Sequence, residues 1–312
     1  MLSRVAERMY WIGRYLERAE NTARMVSAQT RMLLDSPREV PAPWKVMLQI
    51  VGLEEAYDQR YGATEERPVV RYLLAETANA SSILSSLANA RENARTTREI
   101  LPIEAWEQIN DVYWYAREQA AKAVARTQRE PFLNEIIRAC QLLYGLLAGN
   151  MSHDAAYHFF RLGRHLERAD MTTRVLDLGA VGPDDLASET ATLTSSRWMR
   201  VLSCLSAYQM YHQHVQTRVN PLGVCQYLLK DSKFPHAVAH CMAALETDLA
   251  QLPRHPETLA AARALHQTVQ STDVASLLET GLSDYLDTLQ VGFNAMHNAI
   301  AHAWFITGQT PA

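Results

Sequence analysis

This chain lacks the marks of most catalytic classes. It has no GxxxxGK[ST] phosphate loop, no GxGxxG, no GxSxG, no HExxH and no Glu-x-x-His. Those absences exclude P-loop nucleotide chemistry, dinucleotide binding, the serine-hydrolase elbow, zinc proteolysis and the carboxylate di-iron bundle. Glycine and proline are scarce, 12 of each in 312 residues, which excludes a loop-rich β fold. The four cysteines, Cys140, Cys204, Cys225 and Cys241, form no CxxC pair. They read as small apolar residues in a reducing, cytoplasmic compartment. All 11 histidines lie from His153 onward. His236 and His240 stand one helical turn apart beside Cys241, the seed of a metal site without its other ligands, so neither metal nor cofactor is expected. Net charge is −4, so neither nucleic acid nor an anionic membrane is an expected partner. No run approaches the ~18 apolar residues of a membrane span. Arg4, Glu7, Arg8, Arg14 and Glu17 interrupt any signal-peptide core.

What is present is helical periodicity, with 48% hydrophobic residues to bury. Val5, Met9, Ile12, Leu16, Ala19 and Ala23 recur at three- and four-residue steps, and so do Leu286, Leu289, Phe293, Met296, Ile300 and Ala303. Breaks are expected at Asp35-Ser36-Pro37, Pro41-Ala42-Pro43, Tyr61-Gly62, Gly179 to Pro183 and Pro253 to Pro256. The GxxxG from Gly145 to Gly149 reads as a helix end or a packing contact. Trp106, Tyr113, Trp114 and Tyr115 read as core.

One phrase occurs twice: GRYLERAENTAR from Gly13 and GRHLERADMTTR from Gly163. Further matches keep the same order, Trp44 with Trp198, Tyr57 with Tyr211, and Tyr72-Leu73-Leu74 with Tyr227-Leu228-Leu229, while the offset drifts slowly. The expected architecture is an all-α helical bundle forming a single domain over 1–312, built from two sequence-related halves, 1–149 and 150–312. Matching halves of this kind pack about a pseudo-two-fold axis.

On a helical wheel Arg14, Glu17, Arg18 and Asn21 share one face, with Arg24 at its rim, and Ile12, Leu16, Ala19 and Ala23 share the other. The second phrase repeats the pattern with Arg164, Glu167, Arg168 and Arg174. One reading is a solvated face, since Glu20–Arg24 and Asp170–Arg174 are ordinary i,i+4 pairs. The other is a buried or cleft-lining polar network. Charge kept in both copies, while Trp11 became Arg161 and Asn21 became Met171, favours the second. Gly13 and Gly163 point the same way, because mid-helix glycine costs up to about 1 kcal/mol relative to alanine. Arginine suits bidentate recognition of carboxylate or phosphate. Glu17 and Glu167 either hold these guanidiniums or act as general bases.

A second charged stretch, ANARENARTTRE from Ala88, places Arg91, Arg95 and Arg98 on one helical stripe flanked by Glu92 and Asn93. It is either a basic surface patch or the completion of an anion pocket facing the first charged helix. Glu246 and Asp248 stand at the equivalent place in the second half. An arginine stripe meeting that acidic stripe is a further expectation.

These motifs resemble the bacterial alpha-E family, all-helical domains with a Glu-Arg motif. The resemblance rests on LGRHLERADMTTR from Leu162, IGRYLERAENTAR from Ile12, the opening MLSRVAERMYWIGR, ARENAR at Ala90–Arg95 and EAWEQIN at Glu104–Asn110. It implies partners: a circularly permuted ATP-grasp ligase and a transglutaminase-like protease encoded beside such proteins. The implied function is an accessory subunit of a peptide or amide ligase system. Arg14, Arg18, Arg24, Arg91, Arg95, Arg164, Arg168 and Arg174 would bind carboxylate or phosphate, oriented by Glu17, Glu92, Asn93 and Glu167. One alternative is an acyl-transfer enzyme with Glu17 or Glu167 as general acid/base. Another is a scaffold in which the Glu-Arg motifs form a polar core. Homo-oligomers are compatible with each reading.

Overall fold

A computed structural model describes residues 2–35, 44–62, 64–180, 191–253 and 256–305. The expected breaks at Ser36-Pro37 and Pro41–Pro43, and parts of those at 179–183 and 253–256, lie outside these residues. Every regular element among the described residues is helical. The first apolar periodicity becomes α1, Ser3–Asp35, about 50 Å long at 1.5 Å per residue. Short helices follow: α2 (Lys45–Ile50), α3 (Glu54–Asp58) and α4 (Glu66–Leu74). Longer ones come next: α5 (Ile83–Arg95), α6 (Ile103–Gln119), α7 (Arg126–Asn150) and α8 (Ala155–Asp177). The remaining helices are α9 (Ala191–Cys204), α10 (Tyr208–Val215), α11 (Pro221–Lys230), α12 (Val238–Ala250), α13 (Pro256–Ser271), α14 (Val274–Thr280) and α15 (Leu282–Ile300). A π-helical turn, Ala301–Phe305, closes the described chain. It shifts the helical register, so the C-terminal apolar run ends at the fully buried Ile300 and Ala303 is only half-buried.

Local chemistry sets several helix starts. Asp154 accepts hydrogen bonds from the Ala156 and Tyr157 amides at the head of α8. Asn220 does the same for Gly223 at α11, and Pro221 follows it at the first helical position, where a missing amide hydrogen costs nothing.

Helices α1 and α8 cross at the centre. α5, α7 and α9 pack on α1, while α12 and α15 pack on α8. The apolar side of α1 is wholly buried, with Ile12, Leu16, Ala19 and Ala23 inside. Its charged side is largely buried too, Glu17 at 0% exposure and Arg14 and Arg18 partly covered. A one-sided stripe would leave those charges in water, so α1 is a central helix and not a surface one. Trp44, Tyr57, Tyr72, Trp198, Tyr211 and Tyr227 are all buried. So are the four cysteines, none of them bridged.

Glycine decides how closely the central helices approach. A Cβ on Gly13 would overlap the Phe160 carbonyl oxygen, and one on Gly163 would overlap the Tyr10 carbonyl oxygen. The two contacts are reciprocal: backbone lies on backbone at both positions. Gly145 and Gly149 have nothing within 4 Å of such a Cβ, so the GxxxG marks the end of α7 and makes no packing contact.

Gly13→Ala is expected to destabilise the protein by about 3 kcal/mol, at the upper end for overpacking, because the obstacle is backbone and cannot rotate away. Gly145→Ala is expected to be neutral or to stabilise by up to about 1 kcal/mol through helix propensity. Urea denaturation of both variants checks this. Equal effects would mean that the crossing tolerates a side chain.

Candidate functional site

The glycine contact brings the charged faces of α1 and α8 together. Arg14 and Arg18 converge on Glu167. Arg14 donates through Nε, and Arg18 donates from Nε to Oε1 at 2.6 Å and from Nη2 to Oε2 at 3.0 Å. The reverse set converges on Glu17. Arg168 donates from Nε to Oε1 at 2.6 Å and from Nη2 to Oε2 at 2.7 Å. Glu17 also accepts from Arg164 Nε at 3.4 Å, from the Tyr144 hydroxyl at 3.1 Å and from Asn21 Nδ2 at 3.4 Å. Each glutamate therefore holds arginines of the other helix. Bidentate forks of this kind are the strong form of the ion pair.

Burial alone would raise both carboxyls. For Glu17, Arg168 and then Arg164 outweigh burial and hold it below the ordinary carboxylate range. For Glu167, Arg18 and Arg14 outweigh it and bring it down to about 2. Charged groups taken from water are tolerated because each is paired and hydrogen-bonded.

The two flanks of the crossing differ. Arg14 also donates to the Tyr10 hydroxyl at 3.0 Å, and Tyr10 shares a 2.8 Å hydrogen bond with His297 Nδ1. On the other flank Phe160, a residue without a hydroxyl, lies at the matching contact. There Arg164 stacks 3.7 Å above the Tyr144 ring, and its terminal nitrogens make no hydrogen bond among the described residues.

A cavity of about 450 Å³ opens on this Arg164 flank. Its wall includes Glu20, Arg164, Arg168, Tyr227, Lys233 and His236. Three buried atoms in that wall have no hydrogen-bond partner among the described residues: Glu20 Oε2, Tyr227 Oη and His236 Nδ1. Glu20 keeps only its other oxygen engaged, with Arg24 at 2.5 and 3.0 Å. Burial first, then the negative charge of Glu17, raises its carboxyl. Burial, reinforced by Arg168 and Arg24, holds His236 well below the ordinary imidazole value, so it is neutral. Burial pushes the Tyr227 hydroxyl up to about 12.

Of the arginines singled out from sequence, Arg14, Arg18, Arg164 and Arg168 meet in one network. Arg24 and Arg174 sit a turn or two further along, each bonded to its own i−4 acid, Glu20 and Asp170. Arg91 and Arg95 are not brought to the network. Arg91 donates to Asn110 Oδ1 at 2.7 Å and lies under Trp106, Tyr113 and Trp114 of α6. Arg95 pairs with Glu92 on the surface, and Asn93 offers its backbone carbonyl to Thr96 and Thr97. The aromatic cluster thus surrounds a guanidinium, with Trp114 exposed, and is not simply core. The acidic stripe meets other partners as well. Asp248 accepts from His158 and Arg161 of α8, and Glu246 pairs with His266, so neither meets the Arg91 stripe. Tyr144, Tyr227, Lys233 and the second oxygen of Glu20 carry no sequence signal of a site. Another pair, the buried Arg129 with the half-buried Glu66 at 2.9 Å, also escapes sequence reading.

The sequence matches the Alpha-E family, described as a predicted alpha-helical domain with a conserved ER motif, over residues 1–305. Uncharacterized proteins of Mycobacterium bovis and Mycobacterium tuberculosis are each 21% identical over 268 residues. That match covers 80% of this chain and 30% of each relative, so the chain spans under a third of their length. No solved structure matches it.

Arg168→Ala is expected to cost about 3–5 kcal/mol, since it leaves the buried Glu17 without its main partner. Arg168→Met combined with Glu17→Leu is expected to recover more than half of that loss, as removing both charges removes the penalty. Urea unfolding of the cycle reads this out, and a double variant as unstable as the single would contradict it. The pH dependence follows from Glu167. Its folded value lies below its ordinary 4.5, so its contribution is complete above about 4.5 and is lost as pH falls toward about 2. A Glu167→Gln protein is expected to lack that part of the acid-induced loss.

Proposed function

The chain belongs to the Alpha-E family, and from that premise we propose that it is a non-catalytic ligand-binding subunit of an amide-ligase system. Its ligand carries a carboxylate together with a hydrogen-bond donor, as an amino acid or peptide end does. Its working partner is the circularly permuted ATP-grasp ligase that the motif resemblance implies, with the transglutaminase-like protease acting on the product.

One observation carries this reading: three unpartnered buried polar atoms converge on the cavity beside Arg164. An unsatisfied buried polar group costs about 1–3 kcal/mol, so three on one cavity ask for a partner. The chemistry of the wall says what kind. Glu20 Oε2 accepts from an amino or amide group. The open end of Arg164 and the Lys233 ammonium receive a carboxylate. Four guanidiniums share two carboxylates at the crossing, so the surroundings carry excess positive charge. The match to under a third of much longer relatives also fits a domain that works beside others.

The acyl-transfer alternative finds less support. A general base needs a free oxygen and a value near the working pH. Both oxygens of Glu17 and of Glu167 are occupied by arginines, and both carboxyls are held low. The scaffold alternative has a specific observation behind it, the reciprocal pairs Glu17–Arg168 and Glu167–Arg18. We take the pairs as the frame and the cavity as the working part. The same reading treats the two halves as products of duplication. It is supported by the reciprocal glycine contacts and by the burial of each matched aromatic pair.

The test is co-expression with the neighbouring ligase, affinity purification and mass spectrometry of the product. Tyr227→Phe is expected to keep or raise the unfolding midpoint, since it removes an unsatisfied buried hydroxyl, yet to lower product at least tenfold. Glu20→Gln is expected to do likewise. Product yields within twofold of wild type for both variants, or full yield without this subunit, would sink the reading.

A further inference from the structure

A second cavity, of about 700 Å³, lies between the C-terminal half of α1, α7 and α9. Arg24, Arg31 and Arg200 face it, with Gln141, Ser203 and Ser206, and none of its lining residues among those described is acidic. Arg24 is neutralised by Glu20, and Arg31 by Glu130, both of which lie outside this wall. Arg200 has no such partner among the described residues. Its Nε meets the Met32 sulfur at 2.9 Å, and its remaining donors bond to nothing among the described residues. A guanidinium has five N–H donors, so four are unused. Burial, aided by Arg197, pulls Arg200 below its ordinary value, so its charge is held at a cost.

The other flank of the α1–α8 crossing shows that the fold can supply acids at such a place. There Arg174 lies beside Gly52 and walls a cavity of about 770 Å³ together with Glu54, Glu55, Asp177 and Asp287. Arg24 lies beside Ser206 instead and donates to its hydroxyl oxygen. Ser206 holds φ 51°, a left-handed conformation that Gly52 adopts at φ 65° without strain. A non-glycine residue kept in that region places a hydroxyl against Arg24, and its own proton is donated to nothing among the described residues. Strain of this kind collects at ligand sites.

We propose that this cavity is a binding site for a phosphate group. Arginines reach it from two helices, Arg24 and Arg31 from α1 and Arg200 from α9. A carboxylate offers one edge to one fork, whereas a tetrahedral dianion presents oxygens to both sides and accepts a serine hydroxyl as well. Bound phosphate would provide Arg200 with the counter-charge it lacks. The inference stands apart from the ligase reading, because it turns on Arg31 and Arg200, which do not line the first cavity, and on a different ligand group, although Arg24, Gln141 and Ser206 border both cavities.

The test is calorimetric titration of the whole protein with inorganic phosphate, pyrophosphate and acetate at constant ionic strength. Saturable binding of phosphate or pyrophosphate at least tenfold tighter than acetate is expected. Arg200→Met is expected to weaken it at least tenfold while leaving the ligand-free unfolding midpoint equal or higher, since an uncompensated charge is removed. Should that variant fold poorly, Ser206→Gly decides. It suits the backbone, removes only the hydroxyl, and is expected to weaken phosphate at least threefold. Absence of saturable phosphate binding at millimolar concentration would overturn the inference. So would acetate binding as tightly as phosphate, or phosphate binding unchanged in the variants. Phosphate binding by a protein that leaves product formation with the ligase unaffected keeps this inference and removes the other.

Discussion

The contact of Gly13 with the Phe160–Arg164 backbone, and of Gly163 with the Tyr10–Arg14 backbone, is the constraint on which the rest depends. Glutamate side chains are short. Glu17 meets Arg168, and Glu167 meets Arg18, only because the helix axes come this close. Gly13 and Glu17 stand four residues apart, as do Arg14 and Arg18, so glycine and charges share adjacent rows of one helix surface. A larger residue at either glycine would separate the helices and leave buried carboxylates short of their cations. The costs of glycine in a helix and of charge in a core thus belong to one device. Neither is tolerable without the other.

The device is not balanced. Four arginines serve two glutamates across the crossing. On the Arg14 flank the surplus is absorbed locally, by the Tyr10 hydroxyl backed by His297. On the Arg164 flank Phe160 offers no hydroxyl, and Tyr144 gives its proton to Glu17 and its ring face to Arg164. Both terminal nitrogens of Arg164 are left without a hydrogen bond among the described residues, and a cavity opens beside them. On the proposed reading, reciprocal pairs with one unsatisfied flank let a repeated phrase serve one binding site.

Much of the frame was legible in the residues themselves. Three- and four-residue periodicity marked α1 and the helix ending at Ile300, and the repeated GR-LER phrase marked the pair that meets. Mid-helix glycine signalled a close approach because its propensity cost needs a compensating contact. The face each charge turns to was legible, but its partner was not. A helical wheel places Arg91, Arg95 and Arg98 on a stripe without saying which helix lies opposite. The answer, α6 with its aromatic rings, depends on packing between elements distant in sequence. The cavity wall was illegible for the same reason. Glu20 and Arg164 lie in the repeated phrase, but Tyr227 and His236 come from α11 and the segment before α12, and nothing in the sequence joins them to it. Unsatisfied atoms are a property of the assembled structure, and no periodicity reports them.

The carboxyls divide by environment into two kinds, and that division bears on what the site can do. Glu17 and Glu167 are saturated with donors and lie low, so they hold geometry and cannot exchange protons near neutral pH. Glu20 lies in the same charged neighbourhood, yet burial and the adjacent Glu17 push it up, and one of its oxygens has no partner. Its raised carboxyl is an unfavourable feature of the unliganded protein above its ordinary range, opposite in sign to the contribution of Glu167. An ammonium or amide donor arriving at Oε2 would offset that feature directly, and a neutral apolar ligand would not. On the proposed reading, the electrostatics favour the ligand's polar end before shape is considered. That reading places the chemical step with the partner, because a carboxylate poised to receive a cation is suited to holding an amine and not to activating a carbonyl.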